Sequence, residues 1–240
     1  AALETMRESR ANARYLPGIT LPPTLELETE LSRAVSASRT LLLVVPSHAF
    51  RGVLEQIAPH LDSETALAWA TKGLEPGTNR LLHQVVEDVL GPDRPTAVVS
   101  GPNFALEVAH GLPSAVTVAS HTPAFASALA ERLHDDRFRA YTSDDMIGVQ
   151  LGGAVKNVLA IAAGIADGLG FGANTRAALI TRGLAEMMRL GIALGGRQET
   201  GMGLAGLATW CSPAPTISRA TAGWASASAG ARRWRRHVPV

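Results

Sequence analysis

From residue 40 onward, short apolar runs alternate with segments of helical periodicity, and this alternation restricts the fold more than any other feature. The run at residues 40–45 is closed by Pro46 and Ser47, which is typical of a strand buried on both faces of a parallel sheet. Strands that alternate with helices favour right-handed crossovers and a mainly parallel sheet. Strands are predicted at residues 40–45, 65–71, 96–100, 114–120 and 138–142, and helices at 31–37, 49–60, 78–90 and 123–134.

The pattern changes at Asp144, beyond which helical segments follow one another without a strand. A glycine-rich helix is predicted at residues 146–166. Asn174 can cap a second long helix that continues to Leu194. We therefore predict an α/β domain followed by an all-α domain that begins near residue 143.

The charge and apolar patterns argue against two classes of partner. The net charge is only +1, and the basic residues are dispersed except at the C-terminus, so no nucleic-acid-binding surface is predicted. The mildly apolar stretch at residues 149–173 is interrupted by Lys156 and Asp167 and is rich in glycine, so no membrane span is predicted.

Cysteine and histidine usage also limits the chemistry. The single Cys211 excludes an intramolecular disulfide. The first residues contain neither a signal-peptide core nor an initiator methionine, so we expect a cytoplasmic protein whose sequence begins part-way along its gene. No metal is predicted, because no pair has metal-ligand spacing among His48, His110 and His134.

Lysine is scarce in this chain, because only Lys72 and Lys156 are lysine among the 22 basic residues. Arginine is always charged, whereas a partly buried lysine can lose its proton, as proton transfer requires. On a helix, Lys156 would lie beside Gly152 and Gly153, which suggests that a backbone or a ligand approaches closely there. The alternative is a helix that packs tightly through its glycines while Lys156 extends into water.

Three of the predicted strands end at polar, glycine or proline residues that are typical of ligand-binding loops. Pro46 and Ser47 end the first, Lys72 ends the second, and Gly101 to Asn103 end the third. Ligands of parallel α/β sheets bind outside the carboxyl ends of the strands, so a ligand site is predicted at this edge. The alternatives are a solvated charge at Lys72, which the scarcity of lysine disfavours, and an ordinary turn at residues 101–103.

Four segments resemble bacterial NAD(P)-dependent glycerol-3-phosphate dehydrogenase, and the resemblance extends over residues 1–207. The segments are Val44-Val-Pro-Ser-His-Ala-Phe50, Ala70-Thr-Lys-Gly-Leu74, Ser100-Gly-Pro-Asn-Phe-Ala105, and residues 145–195 with Gly148-Val-Gln-Leu-Gly-Gly-Ala-Val-Lys-Asn-Val158. The resemblance implies a Rossmann-type doubly wound parallel sheet, a helical C-terminal domain and a site between them. It also implies reduction of dihydroxyacetone phosphate to sn-glycerol 3-phosphate with NAD or NADP as cofactor, for phospholipid synthesis.

The resemblance assigns roles to five positions. Lys156 corresponds to the catalytic lysine, which exchanges a proton with the substrate oxygen and contacts the substrate. Lys72 corresponds to a lysine that contacts substrate and cofactor. Gly101 and Asn103 resemble substrate-binding positions, and Ala105 resembles a cofactor-binding one. The chemistry suits these residue types, because an ammonium group stabilises the charge that develops on a carbonyl oxygen and supplies its proton.

Two departures from the family are visible. No Gly-x-Gly-x-x-Gly follows a predicted strand, so the family's glycine-rich turn is expected upstream of Ala1. The preference between NAD and NADP therefore cannot be read from this sequence. The second departure follows Leu207. When the residues from Ala208 onward are back-translated with suitable synonymous codons and one extra base is placed in front, the shifted reading frame gives the family's continuation, Gly-Asp-Leu-Val-Leu-Thr-Cys-Thr-Asp-Asn-Gln-Ser-Arg-Asn. We therefore expect truncated domains at residues 1–142 and 143–207, an out-of-frame tail at 208–240, and little or no activity.

Two alternatives to a dehydrogenase remain open. One is a fragment that binds a dinucleotide or a phosphosugar without turnover. The other is a module that dimerises through its helical domain, so the resemblance allows a homodimer.

Overall fold

The computed structural model describes residues 2–208 of the chain, and most of the tail predicted from residue 208 lies outside the described residues. Five strands form one sheet. They are β1 (Thr40–Leu43), β2 (Ala66–Trp69), β3 (Thr96–Ser100), β4 (Ser114–Ala119) and β5 (Phe138–Ser143).

Helices precede, connect and follow these strands. They are α1 (Ala2–Ser9), α2 (Leu31–Ser36), α3 (Ser47–Ile57), α4 (Leu82–Leu90), α5 (Ala105–Ala109), α6 (Pro123–Leu133), α7 (Met146–Gly168), α8 (Ala173–Ala193) and α9 (Gln198–Met202), with a 3₁₀ turn at Ala58–His60 and a π-helical turn at Leu204–Ala208. The predicted alternation up to residue 143, and the helical segment after it, are confirmed.

The strand order along the sheet is β1-β2-β3-β4-β5, and three of the neighbouring pairs are parallel. The pair β3–β4 is antiparallel, with Val99 opposite Val118. The connection at residues 101–113 contains only the five-residue α5, so the chain reverses direction instead of making a full crossover. The prediction of a mainly parallel sheet is confirmed, with this one reversal.

The sheet is covered on both faces. Helices α3 and α4 pack on one face, where Leu67, Trp69 and Val98 are buried. Helix α6 packs on the opposite face. Neighbouring residues of one strand therefore belong to different cores, as the period of two in a strand requires. Burial on both faces explains why β2 reads as a continuous apolar run.

The predicted start of a helix near residue 78 is wrong, because α4 begins at Leu82. Gly77 and Asn79 both have positive φ angles, of 85° and 57°, which an α-helix does not accommodate. The loop is held instead by Glu75, whose carboxylate accepts a hydrogen bond from Arg51 at 2.6 Å. This ion pair stabilises the segment that follows Lys72.

Helix α7 begins at a well-capped end against the sheet. Asp145 accepts a hydrogen bond from the backbone N–H of Gly148 at 2.8 Å and another from the backbone N–H of Arg197 at 2.9 Å. By length and composition α7 is also apolar enough to cross a membrane, a test that core helices of globular proteins pass as well. The absence of a membrane span therefore remains a prediction.

Candidate active site

Lys72 lies just beyond the carboxyl end of β2 and faces the loop that follows β3. Its Nζ donates hydrogen bonds to the backbone oxygen of Gly101 at 3.2 Å and to Oδ1 of Asn103 at 3.3 Å. The preceding residue anchors it, because the Thr71 hydroxyl donates to the backbone oxygen of Val45 at 2.8 Å. Lys72 is therefore held between the ends of three strands, as predicted for a ligand site.

The environment of Lys72 favours loss of its proton. Burial, and to a smaller extent the positive charge of Lys156, lower the pKa of Lys72 from 10.5 to about 8. The same environment would stabilise a bound anion, because two ammonium groups lie in one partly buried site and, among residues 2–208, no carboxylate forms an ion pair with either of them.

Lys156 reaches the same site from helix α7. Its Nζ lies 5.5 Å from the centroid of the Phe104 ring, within the range of a cation–π contact. Within residues 2–208, no hydrogen bond or ion pair of Lys156 is seen. Burial lowers the pKa of Lys156 as well. Its ammonium group thus has unused N–H donors, from which a ligand oxygen can accept hydrogen bonds.

The two glycines before Lys156 have different neighbours. A Cβ atom at Gly153 would lie 3.1 Å from Oγ of Ser100 and 3.5 Å from Cγ of Lys72, so the missing side chain makes room for the other lysine. A Cβ atom at Gly152 would lie 2.9 Å from the carbonyl carbon of Ala205, in the π-helical turn. The predicted close approach of a backbone is confirmed at Gly152, whereas the neighbours of Gly153 are the side chains of Ser100 and Lys72.

Gly101, Asn103 and Ala105 lie on the loop that starts at the end of β3. A Cβ atom at Gly101 would lie 2.9 Å from Cα of Val116, so close approach of β4 requires glycine there. Asn103 accepts the hydrogen bond from Lys72. Ala105 is the first residue of α5 and is exposed. The structure therefore brings together Lys72, Gly101, Asn103 and Lys156, and it places Ala105 beside them on the same loop.

Sequence reasoning missed two residues of this site. The Ser100 side chain is buried, and its hydroxyl has no hydrogen-bond partner among the described residues. Phe104 was read only as part of the motif that ends at Ala105, although its ring contacts Lys156. The one available signal was their position, because Ser100 and Phe104 directly flank the marked residues 101–103.

These residues fit the reacting end of a nicotinamide dinucleotide better than its pyrophosphate. The buried Ser100 hydroxyl and the lysine donors are suited to a polar group at the carboxyl ends of the strands.

A run with Gly-x-Gly-x-x-Gly spacing occurs from Gly201 to Gly206, but it begins inside α9. There Gly206 packs against the backbone of Gly201, so this run is a packing element and not a strand-to-helix phosphate loop.

A mainly parallel sheet with lysines at its carboxyl edge, followed by long helices, is a Rossmann-type arrangement. Two family models match the chain. Residues 1–126 match the N-terminus of NAD-dependent glycerol-3-phosphate dehydrogenase, and residues 145–216 match its C-terminus. The chain belongs to this family, and the resemblance seen in the sequence is confirmed.

Curated relatives agree with this membership. Glycerol-3-phosphate dehydrogenase [NAD(P)+] of Nitrosococcus oceani is 61% identical over 207 residues, which cover 86% of this chain and 60% of the relative. The protein of the same name from Methylococcus capsulatus is 60% identical over 205 residues, which cover 85% of this chain and 61% of the relative. The chain thus spans about 60% of the length of the curated relatives it matches.

Solved structures show the same fold. The crystal structure of glycerol-3-phosphate dehydrogenase from Coxiella burnetii has a TM-score of 0.86 and 41% identity, and the match covers 100% of this chain and 81% of that one. The enzyme from Saccharomyces cerevisiae has a TM-score of 0.81 and 30% identity, with coverage of 94% and 68%. The Rossmann-type fold class is therefore confirmed.

Proposed function

We propose that this chain carries the lysine site of an NAD(P)-dependent oxidoreductase that interconverts dihydroxyacetone phosphate and sn-glycerol 3-phosphate. The observation that supports this proposal most strongly is the meeting of the chain's two lysines, which come from the end of β2 and from α7. Family membership supports the choice of substrate, because the relatives are named for that reaction. The product would supply glycerophospholipid synthesis in the cytoplasm.

We assign the proton transfer to Lys156. In reduction its ammonium donates a proton to the substrate C2 oxygen, and in oxidation the neutral amine takes the proton back. Two observations favour Lys156 over Lys72 for this role. Lys72 already donates two hydrogen bonds, to Gly101 and Asn103, whereas Lys156 has free donors among the described contacts.

Lys72, Gly101 and Asn103 bind and orient the substrate in this proposal. The Lys72 ammonium attracts the phosphosugar, and the backbone of Gly101 and the amide of Asn103 fix the position of that ammonium. Lys72 and Ala105 would also hold the nicotinamide cofactor, NAD or NADP. When bound, the cofactor supplies the hydride. Burial lowers the pKa of Lys156, which brings the acid–base group closer to neutral pH.

Turnover by the 240-residue chain alone is expected to be very low. A dinucleotide pyrophosphate normally takes backbone N–H donors from a glycine-rich turn that follows a strand, and none of the strands within residues 2–208 is followed by such a turn. Each charge-assisted hydrogen bond is worth about 1.5–3 kcal/mol, so the loss of several moves a micromolar site to millimolar or weaker.

A second candidate function is self-association without turnover. Helix α7 presents Val158, Ile161 and Ile165 to solvent, and these residues share one face of the helix. A second copy of the chain would cover this apolar face, which supports a homodimer.

Three measurements on the 240-residue chain separate these functions. NADH oxidation with dihydroxyacetone phosphate tests turnover, equilibrium titration with the phosphosugar tests binding, and a sizing column tests association. The proposal expects substrate binding that Lys72→Ala weakens, with at most trace turnover. Absence of phosphosugar binding at millimolar concentration, by a chain shown to be folded, would contradict the proposed site. Turnover abolished by Lys156→Ala would show that the glycine-rich turn is dispensable.

A further inference from the structure

The loop that follows β3 contacts both lysines of the chain through neighbouring residues. Gly101 and Asn103 accept hydrogen bonds from Lys72, and the next residue, Phe104, turns its ring toward Lys156. We infer that Phe104 is a positioning residue for the reaction proposed above, and that its ring holds the Lys156 ammonium at the site. This contact uses no oxygen or nitrogen acceptor, so the ammonium N–H donors that point away from the ring stay available to a ligand.

The contact is suited to an acid–base group. The face of an aromatic ring carries partial negative charge and attracts an ammonium group placed within about 6 Å of its centroid. Lys156 and Phe104 are both partly buried, so water weakens this attraction less than at an exposed surface. A carboxylate at the same place would hold the charge more tightly, but it would also occupy the donors and repel an anionic substrate.

The backbone around Phe104 is ordered by the start of a helix. Phe104 is the N-cap residue of α5, with extended φ and ψ angles of −66° and 131°, and its backbone oxygen accepts the first helical hydrogen bond from Val108. The loop before it is constrained by Gly101, which packs against β4. The ring is therefore presented by a short ordered segment, and Lys156 lies on a helix whose N-terminus is anchored by Asp145.

This inference makes a prediction with a defined sign. The ring stabilises the charged form of Lys156, so weakening the ring's negative face must lower the pKa of Lys156 beyond the effect of burial alone. Lys72 serves as an internal reference, because it does not depend on this ring. Its pKa should stay constant or rise, since the charge of Lys156 is one of the causes that lower it.

The experiment uses the small number of amines in the chain. Reductive methylation with ¹³C-formaldehyde labels Lys72, Lys156 and the N-terminal amine and preserves their charges, and each signal is followed by NMR against pH. Variants Lys72→Arg and Lys156→Arg assign the signals. Phe104 is replaced by leucine, by tyrosine and, because the chain has five phenylalanines, site-specifically by a trifluorinated phenylalanine of almost the same shape.

Leucine and the fluorinated ring should each lower the titration midpoint of Lys156 by roughly half a pH unit, whereas Phe104→Tyr should leave it nearly unchanged. The fluorinated variant keeps the test valid even if the leucine variant folds poorly. A Lys156 midpoint that the fluorinated ring does not move would overturn the inference. Addition of dihydroxyacetone phosphate to the labelled protein that retains Phe104 tests the proposed function separately. If neither lysine signal then responds, that function fails while the ring contact stands.

Discussion

At the scale of single residues, the two lysines differ in what surrounds their ammonium groups. Lys72 is held by two oxygen acceptors, and Lys156 lies over an aromatic ring. Both sites disfavour the charged form through burial. Two partly buried cations that no carboxylate of the described residues pairs with lower the stability of the protein, and a bound anionic ligand would restore it.

The cost of burying Lys72 can be measured. We expect Lys72→Met to stabilise the protein at pH 7 by on the order of 1 kcal/mol, after the two lost hydrogen bonds are subtracted. The folded-state pKa is about 8 and the ordinary value is 10.5, so the folded protein loses this proton first as the pH rises. Between these values the original protein becomes more stable, and the advantage of methionine shrinks.

Urea unfolding at pH 7 and at pH 9.5 checks this sign. Relative to the original protein, Lys72→Met should raise the free energy of unfolding clearly at pH 7 and by a smaller amount at pH 9.5. If Lys72→Met destabilises the protein equally at both pH values, Lys72 is not held in an environment that opposes its charge.

Sequence reasoning could find four of the site residues because each carries a local signal. The scarcity of lysine marks Lys72 and Lys156, and the position after β3 marks Gly101 and Asn103. The roles assigned to them, and to Ala105, remain predictions. The contact of Phe104 with Lys156 could not be predicted, because it depends on how α7 packs against a loop distant in the chain.

At the scale of elements, helix α7 joins the sheet to the helical part of the chain. Its glycines allow two kinds of close approach, to the backbone of Ala205 at Gly152 and to Lys72 and Ser100 at Gly153. Gly168, at the other end of the helix, has nothing within 4 Å of its Cβ position. The three glycines therefore form a matched set for substitution by alanine.

We expect the three alanine substitutions to change the free energy of unfolding by different amounts and with different signs. Gly152→Ala should destabilise the protein by about 1–3 kcal/mol, because a backbone must move. Gly153→Ala should cost less, since Ser100 and Lys72 are side chains that can adjust, but it should displace the lysine. Gly168→Ala should be neutral or stabilising by up to about 1 kcal/mol. Thermal unfolding of the three variants checks this order, and equal effects at all three positions would show that α7 packs differently.

The elements themselves were largely predictable from periodicity, because apolar runs and amphipathic helices are local patterns. Two features were not. The antiparallel pairing of β3 with β4 depends on the path of the loop at residues 101–113, which is a tertiary effect. The delayed start of α4 follows from the positive φ angles of Gly77 and Asn79, in a loop that the ion pair of Arg51 with Glu75 holds.

At the scale of the whole molecule, helix α7 has an apolar face that the other described residues leave exposed. Val158, Ile161 and Ile165 are 64%, 58% and 47% exposed, although each is a large apolar side chain on a helix whose first half is buried. A contiguous apolar face of this kind favours association. We expect the 240-residue chain to self-associate at micromolar concentration.

Replacing Val158 and Ile161 together by lysine should reduce the mass measured by light scattering toward that of a monomer. Asn157→Lys is the matched control, because this neighbouring residue is already exposed and polar. The control should leave the mass unchanged. Association that persists in the double variant would place the interface elsewhere.

The central claim is that Lys156 exchanges the proton in the glycerol-3-phosphate dehydrogenase reaction. The most direct test joins residues 1–207 to the remaining segments of the Nitrosococcus oceani relative, with which these residues are 61% identical, and measures kcat for dihydroxyacetone phosphate reduction. Lys156→Ala should lower kcat by about 10²–10⁴-fold, and Lys156→Arg should not restore it, because a guanidinium does not release its proton. A Lys156→Ala chimera that keeps most of its kcat, or a fully active Lys156→Arg chimera, would contradict the claim.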